Sequence, residues 1–263
     1  MRNGDGPLVQ SVGRAVSILS ILAQEPGELG VTELGRRLGV HKATASRLVA
    51  TLGESGLVER NPATDKYRLG FGLVPLAGAA MAGMDLIRQA RPVLEGLAQR
   101  TRETVNLAVL DDDSVMHIDQ IASTRSVVSV SWVGRRTPYH CTSNGKVLLA
   151  FLDPAERDRL LARPLERRTP NTLTDPERLR AQLREVSIRG YGQTVEELEE
   201  GLNAVAAPIR QSDGRVVAAI SVSGPAFRMR PTDLPRMARM AVEAAEAISR
   251  RMGYVERRQS VGS

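Results

Sequence analysis

Residues 10–70 carry a pattern that few small folds can satisfy. Val12, Val16, Leu19 and Leu22 recur at spacings of four and three. With Ala15, Ile18 and Ala23 they make the apolar stripe of a helix from about Gln10 to Gln24. Pro26-Gly27 ends that helix. Thr32 stands at an N-cap position, a short helix follows from Glu33 to Leu38, and Gly39 stops it. A third helix runs from His41 to Glu54, with Leu48, Val49 and Leu52 inward and Gly56 closing it. Helix, short glycine turn, helix is the helix-turn-helix outline. The next segment, Leu57 to Arg60, then Asn61-Pro62-Ala63-Thr64-Asp65-Lys66, then Tyr67-Arg68-Leu69, reads strand, turn, strand. Three helices closed by such a hairpin form a winged helix-turn-helix.

The charges give this unit a partner. Between Glu33 and Glu54 the charged residues are Arg36, Arg37, Lys42 and Arg47, all positive. An acid-free stretch flanked by acids suits a surface that meets phosphate. The front of the third helix reads His41-Lys42-Ala43-Thr44-Ala45-Ser46-Arg47. Small and hydroxylated residues let a helix enter the major groove closely, and Thr44, Ser46 and Arg47 can donate to base edges or phosphates. On the hairpin, Arg60, Lys66 and Arg68 would set cations against flanking phosphates. A charge run alone reads as a solvated basic face; the hairpin directly behind the third helix turns the reading to double-stranded DNA. The chain as a whole, 263 residues with 36 Lys and Arg against 30 Asp and Glu, has a net charge of +6. That balance permits a polyanion partner without requiring one.

Beyond Leu69-Gly70-Phe71-Gly72 the character changes. Leu73 to Met84 is apolar on every side until Asp85, with Pro75 suited to a first helical turn. A short helix without a polar face must bury both sides, and a matching helix from a second subunit is the simplest cover. Asp85 to Arg102 is amphipathic, and Pro92 should kink it or mark its true start. Two hairpins are expected: Thr104–Leu110 with Val115–Ile121, and Val205–Arg210 with Val216–Val222. Ser126 to Val133 reads as a further strand. Asn144–Phe151, Pro154–Leu161, Pro176–Arg189 and Leu234–Met252 read as helices, with Asp153 and Thr174 or Asp175 as caps. Helices around strand hairpins indicate an α+β domain with a central antiparallel sheet.

Several segments carry a family resemblance. Ser11-Val12-xx-Ala15 with Ile18-Leu19, the run from Glu33-Leu34 through Gly39-Val40 to Leu52, and Gly56-Leu57-Val58 with Tyr67-Arg68-Leu69-Gly70 resemble the DNA-binding domain of IclR-type transcription regulators. Thr142 to Ala150, Glu200-Gly201-Leu202-xxx-Ala206-Ala207-Pro208-Ile209 and Ala218 to Pro225 resemble the effector domain of those regulators, which is similar to GAF domains. The resemblance covers about residues 8 to 252. It implies a winged helix-turn-helix over 1–71, a linker helix over 72–85 and a GAF-like effector and oligomerisation domain over 86–263. It also implies an effector pocket using Ser143, Asn144, Gly145, Thr194, Ala204, Ser221 and Ser223. Ser221 and Ser223, two apart on a strand, point to one face. The N–H groups at the Asn144-Gly145 helix start suit an anion. Relatives that bind small keto acids place an acid near Thr194 and a cysteine near Ala204. Their absence disfavours such a ligand and leaves room for a bulkier one. Trp132 to Cys141 would form a loop at the pocket mouth.

Catalytic readings are weak. Ser143-xx-Lys146 matches a Ser-x-x-Lys nucleophile pattern but lacks its companion segments. His140 and Cys141 are adjacent, which points their side chains apart. Asp111-Asp112-Asp113 lacks Ca²⁺-loop spacing and reads as a hairpin turn. Glu196, Glu197, Glu199 and Glu200 read as a solvated edge. One cysteine and three histidines disfavour a disulfide framework and a metal site. No run approaches a membrane span, and Met1 to Gln10 lacks a signal-peptide core, so a cytoplasmic protein is expected. The expectation is a homodimeric or tetrameric regulator of a catabolic operon, without a cofactor. As a repressor it would leave a palindromic operator when a small carboxylate, ureide or polyol binds. Activation, a constitutive binder whose second domain only oligomerises, and a GAF-like enzyme are the alternatives.

Overall fold

The computed structural model describes residues 9–25, 27–82, 85–123, 125 and 131–255. The chain divides into two compact units, Met1–Met84 and Asp85–Ser263.

The first unit holds α1 (Gln10–Gln24), α2 (Val31–Leu38), α3 (Lys42–Glu54), β1 (Val58–Asn61), β2 (Lys66–Leu69) and α4 (Leu73–Ala82). Ile18, Leu22, Leu34, Val49, Leu52 and Val58 form its core. Strands β1 and β2 pair antiparallel as the wing, with Val58 opposite Leu69 and Asn61 opposite Lys66. Helices α2 and α3 meet at Gly35, where a Cβ would lie 3.0 Å from the Val40 carbonyl oxygen. Two sequence expectations need correction. Val12 and Val16 are 60% and 56% exposed, because the core touches only the later turns of α1, at Ala15, Ile18, Leu19, Ile21 and Leu22. The N-cap of α2 is Gly30, without a side-chain bond, and Thr32 lies inside the helix. The cause is a bridge the sequence does not announce. The Leu29 N–H donates to the Tyr67 carbonyl at 2.9 Å and the Tyr67 N–H returns the bond at 2.8 Å. The wing thereby fixes where the chain enters α2.

The second unit runs α5 (Asp85–Thr101), β3 (Thr104–Asp111), β4 (Ser114–Ile121), β5 (Arg136–Thr137), α6 (Ser143–Ala150), α7 (Pro154–Leu161), α8 (Pro176–Arg189), β6 (Gly192–Val195), β7 (Leu202–Arg210), β8 (Val216–Pro225) and α9 (Leu234–Arg251). The strands form one antiparallel sheet in the order β5-β4-β3-β8-β7-β6. Its two faces follow from the two-residue period of a strand. Val105, Leu107, Val205, Ala207, Ile209, Ile220 and Val222 pack under α5 and α9 with Leu94, Leu97, Met237 and Ile248. Ala108, Ala206 and Ala219 on the opposite face meet Val147 and Leu149 of α6, which in turn touch Leu160, Leu179 and Leu183 of α7 and α8.

Asp153 and Asp175 cap α7 and α8 as the sequence predicts, and Thr142 caps α6 by accepting the Gly145 N–H at 3.2 Å. Pro92 lies inside α5, which starts seven residues earlier at Asp85; the proline is not its first turn. Of the strand expected over 126–133, residues 126–130 lie outside the described residues, and Ser131, Trp132 and Val133 are not in a strand. The pairing at this sheet edge is instead made by β5, with Val115 opposite Thr137. Strand β6 is unanticipated, being only four residues long behind a glycine.

Two glycines set opposite limits on stability. At Gly145 a Cβ would lie 2.1 Å from the Tyr139 carbonyl oxygen, whereas nothing approaches within 4 Å of one at Gly96 in mid-α5. Gly145→Ala should abolish cooperative melting of the second unit. Gly96→Ala should stabilise it by about 0.5–1 kcal/mol through lost unfolded-state freedom, read by urea unfolding.

Candidate functional site

Helix α3 and its N-cap His41 present His41, Lys42, Ala43, Ser46, Arg47 and Ala50 to solvent, and the helix turns Ala45, Val49 and Leu52 inward; Thr44 is half-buried. The cations around it are not equivalent. Arg36 and Arg37, one turn along α2 from Glu33, both bond its carboxylate, and Arg37 also pairs with Glu25. These bonds hold Glu33 down to about 2. On the wing, Arg60 pairs with Asp65, and Arg68 with Glu59. Lys42, Arg47 and Lys66 have no ion-pair partner among the described residues. Cross-strand register puts Arg60 on the face of Tyr67, while Lys66 and Arg68 share the other face. The wing therefore does not aim all three cations at one surface. A residue missed from sequence, Glu28, braces the wing tip by accepting from Asn61 and Thr64.

The second unit contains a cavity of about 420 Å³ on the α6 side of the sheet, beyond the alanines. Its floor is two lateral rows of paired residues. Gln120, Asn106 and Ser221 lie side by side on β4, β3 and β8, and Thr104, Ser223, Ala204 and Thr194 on β3, β8, β7 and β6. Ser143 and Asn144 reach it from the start of α6, Leu198 and Glu199 from the segment before β7, and Trp132 and Arg135 from the turn before β5. Six of the seven expected effector residues thus lie on one cavity. Gly145 does not line it; its place is the close contact with Tyr139. Asn106, His117 and Gln120 also line it and carry no motif. Only the register of β3 on β4 and β8 could have found them.

The walls are polar and buried. The Asn144 amide donates to Ser221 Oγ at 3.0 Å and the Asn106 amide to Ser223 Oγ at 3.3 Å. Asn106 Oδ1, Asn144 Oδ1 and His117 Nδ1 are buried without a partner among the described residues. Burial lowers His117 from 6.5 to about 4, so its ring is neutral at physiological pH. Its other nitrogen lies 3.3 Å from Thr137 Oγ1, and its ring centroid 5.7 Å from that of Trp132. The Arg135 guanidinium stands 5.7 Å from the centre of the Trp132 ring. Arg135 and Glu199 also line the cavity, so it offers a ligand hydrogen-bonding groups together with one charge of each sign.

Behind α6 lies a buried ion pair. Lys146 is fully buried and bonds Glu197 at 2.5 Å. Burial pulls the lysine down, and the Glu197 carboxylate opposes that. Glu197 is therefore not part of a solvated edge. Thr169 and Thr172 hold the backbone around it by donating to the carbonyls of Glu196 and Glu197. With its ammonium committed to Glu197, Lys146 is not a base for Ser143. Cys141 is buried and its thiol is pushed up to about 12, first by desolvation, so it is not a nucleophile. His140 Nε2 faces the Glu166 carbonyl at 2.9 Å.

A winged helix-turn-helix joined to a cavity-bearing α+β unit defines a ligand-binding transcription regulator. The IclR helix-turn-helix domain model matches residues 11–62, and the bacterial transcriptional regulator IclR C-terminal model matches residues 78–250. The HTH-type transcriptional regulator XynR of Escherichia coli is 34% identical over 249 residues, 94% of this chain and 99% of that protein. KdgR of the same organism is 37% identical over 247 residues, 94% of each. A crystal structure of an IclR homologue from Microbacterium hydrocarbonoxydans complexed with 4-hydroxybenzoate has a TM-score of 0.82 at 32% identity, over 92% of this chain and 98% of that one. The chain belongs to the IclR family of DNA-binding transcription regulators with a ligand-binding C-terminal domain. Its relatives are regulators, not enzymes. Among the described residues no helix is long and apolar enough to cross a membrane.

Two outcomes follow from the buried charges. Because the folded His117 titrates at about 4 and the unfolded one at 6.5, the unfolded state takes the proton first as pH falls. Stability should decline from about pH 6.5 down to 4 and be indifferent to His117 above that window. His117→Asn should flatten that part of the profile, and the ring's NMR titration should centre near 4. Lys146→Met should cost about 3–5 kcal/mol by stranding Glu197, while Lys146→Met with Glu197→Leu should recover much of it, measured by chemical denaturation.

Proposed function

We propose that this protein is a cytoplasmic repressor of a catabolic operon that leaves a palindromic operator when a small organic metabolite occupies the β3–β8 cavity. The supporting observation is the coexistence of an exposed α3 face, where Lys42 and Arg47 have no ion-pair partner among the described residues, and a polar cavity in the second unit. The DNA contacts are Lys42, Thr44, Ser46 and Arg47 in the major groove, His41 at the helix start, and Lys66 with Arg68 on the wing. Arg36, Arg37 and Arg60 reach phosphate by exchanging exposed ion pairs, which cost little to break. Two copies read half-sites about one helical turn apart. The apolar residues Val12, Val16, Val74 and Leu76, exposed on α1 and α4, supply a dimer surface. Second units pair dimers into tetramers. Ser143, Asn144, Thr194, Ala204, Ser221 and Ser223 contact the ligand, which is a carboxylate, ureide or polyol. It shifts DNA affinity only by its differential affinity for the two arrangements of the DNA heads. The built polar cavity favours this reading over a constitutive binder.

The test is binding to the duplex upstream of the protein's own gene against scrambled duplex. Arg47→Ala should cost about 1–3 kcal/mol on the specific duplex with little change in melting. Lys66→Ala should weaken both duplexes alike and lower the salt slope by roughly one. Equal affinity of the unmutated protein for the two duplexes would remove the operator reading.

A further inference from the structure

Strand β4 is irregular where it passes the cavity. Leu107 of β3 pairs with Asp119 and Ala108 with His117, so Ile118 between them has no counterpart on β3. Such a bulge re-aims the side chains around it. In a regular strand residues 117 and 119 would share one face, and 118 and 120 the other. Here His117 and Gln120 both line the cavity, while Ile118 and Asp119 both turn toward α5. Ile118 joins the core that contains Ala90, Leu94 and Leu97 of α5. Asp119 is buried, and its Oδ1 accepts from the Arg91 guanidinium of α5 at 2.5 Å and from the Gln120 N–H at 2.8 Å. Its Oδ2 is buried with no hydrogen-bond partner among the described residues. A buried carboxylate is costly to separate from the cation that holds it, so Arg91 follows Asp119 when β4 shifts. The cavity mouth rests on the two outer residues of the bulge. The Trp132 N–H donates to Gln120 Oε1 at 2.7 Å, and the Trp132 ring centroid stands 5.7 Å from that of His117.

We propose that the β4 bulge and the Asp119–Arg91 pair form the relay between the cavity and α5. This rests on the reading of the cavity as the effector site and adds the route that leads out of it. A ligand beside Trp132 meets His117 and Gln120, which flank the bulge. A displacement there is shared through the backbone with Ile118 and Asp119, and both of these bear on α5. A close-packed core transmits strain rather than absorbing it, so α5 moves with them. Helix α5 opens the second unit, where the chain arrives from α4 and the DNA-binding unit. The other ion pairs of α5 lack this geometry. Arg88 bonds Asp85 on the same helix, and Arg100 bonds Glu243 of α9 with both side chains exposed. Neither Asp119 nor Arg91 lines the cavity, so they are positioning residues. Coupling between two sites is reciprocal. DNA that fixes one arrangement of the first unit therefore alters the cavity mouth, where the chain's one tryptophan, Trp132, reports it.

The experiment needs no effector. The full chain is titrated with the duplex upstream of its own gene and with scrambled duplex. Two signals are read: Trp132 emission and hydrogen exchange over residues 115–121. The specific duplex should shift both signals, and the scrambled duplex neither. Asp119→Asn and Arg91→Met should each still bind the specific duplex yet lose both shifts. Arg91→Lys, which keeps a cation for the buried carboxylate, should retain them. So should Arg100→Met, which removes an exposed pair elsewhere on α5. DNA-free melting reports whether each variant folds, and either relay variant suffices. Specific binding by the unmutated protein without either shift overturns the proposal and leaves the regulator reading standing. Shifts that survive in the relay variants, or that Arg100→Met abolishes as well, also overturn it. Equal affinity of the unmutated protein for the two duplexes removes the operator reading, and the relay, which rests on it, falls with it.

Discussion

Strand β8 must satisfy two different neighbours with alternate residues, and the second unit is organised around that demand. Ile220 and Val222 look toward α5 and α9, and their partners Leu107, Val105 and Val205 do the same. The intervening positions read Ala219, Ser221, Ser223. The alanine lies under α6, where only a small side chain lets the helix approach. Once past the helix the same face needs no packing partner, and serines take over. A one-residue slip of β8 would exchange the two faces, burying hydroxyls under α9 and emptying the cavity floor. Register is thus a condition both of stability and of ligand chemistry.

The buried Lys146–Glu197 pair acts in the same region from behind. It ties α6, which carries Ser143 and Asn144, to the segment that carries Leu198 and Glu199. Two elements far apart in sequence are held at one spacing across the cavity. Such a pair contributes little net stability against an apolar substitute, but it admits one arrangement only. The Thr169 and Thr172 hydroxyls restrict that segment further. The wing of the first unit uses a parallel device: Glu28 accepts from Asn61 and Thr64, and the Leu29–Tyr67 bridge fixes its base.

Local signals were legible in the sequence wherever one element decides its own structure. Gly39 in the left-handed conformation, Asp153 and Asp175 at helix starts, and the wing strands all sit where spacing and residue type place them. The serine pair on β8 was legible because a two-residue spacing implies one face. What sequence could not supply is pairing between distant segments. Thr32 looks like a cap until Leu29 pairs with Tyr67. Glu197 sits in an acidic run that looks solvated until Lys146 reaches it. Val12 and Val16 continue a helical stripe past the end of the core they were expected to join. Asn106 and Gln120 look like ordinary strand polars until register aligns them with Ser221. Gly145 falls within a motif that suggests ligand contact, yet its missing side chain serves the Tyr139 backbone.

The burial of Cys141 has a practical side. The chain's single thiol is enclosed, and its ionisation is displaced far above physiological pH. Oxidants and alkylating reagents act on thiolates within their reach, so the folded regulator has no sulfhydryl handle through which redox conditions could speak to its DNA-binding activity. For the experimenter the same enclosure is an advantage. Spectroscopic labels attached to a cysteine introduced on α3 or at the cavity mouth would report from that position alone, without first removing the native residue.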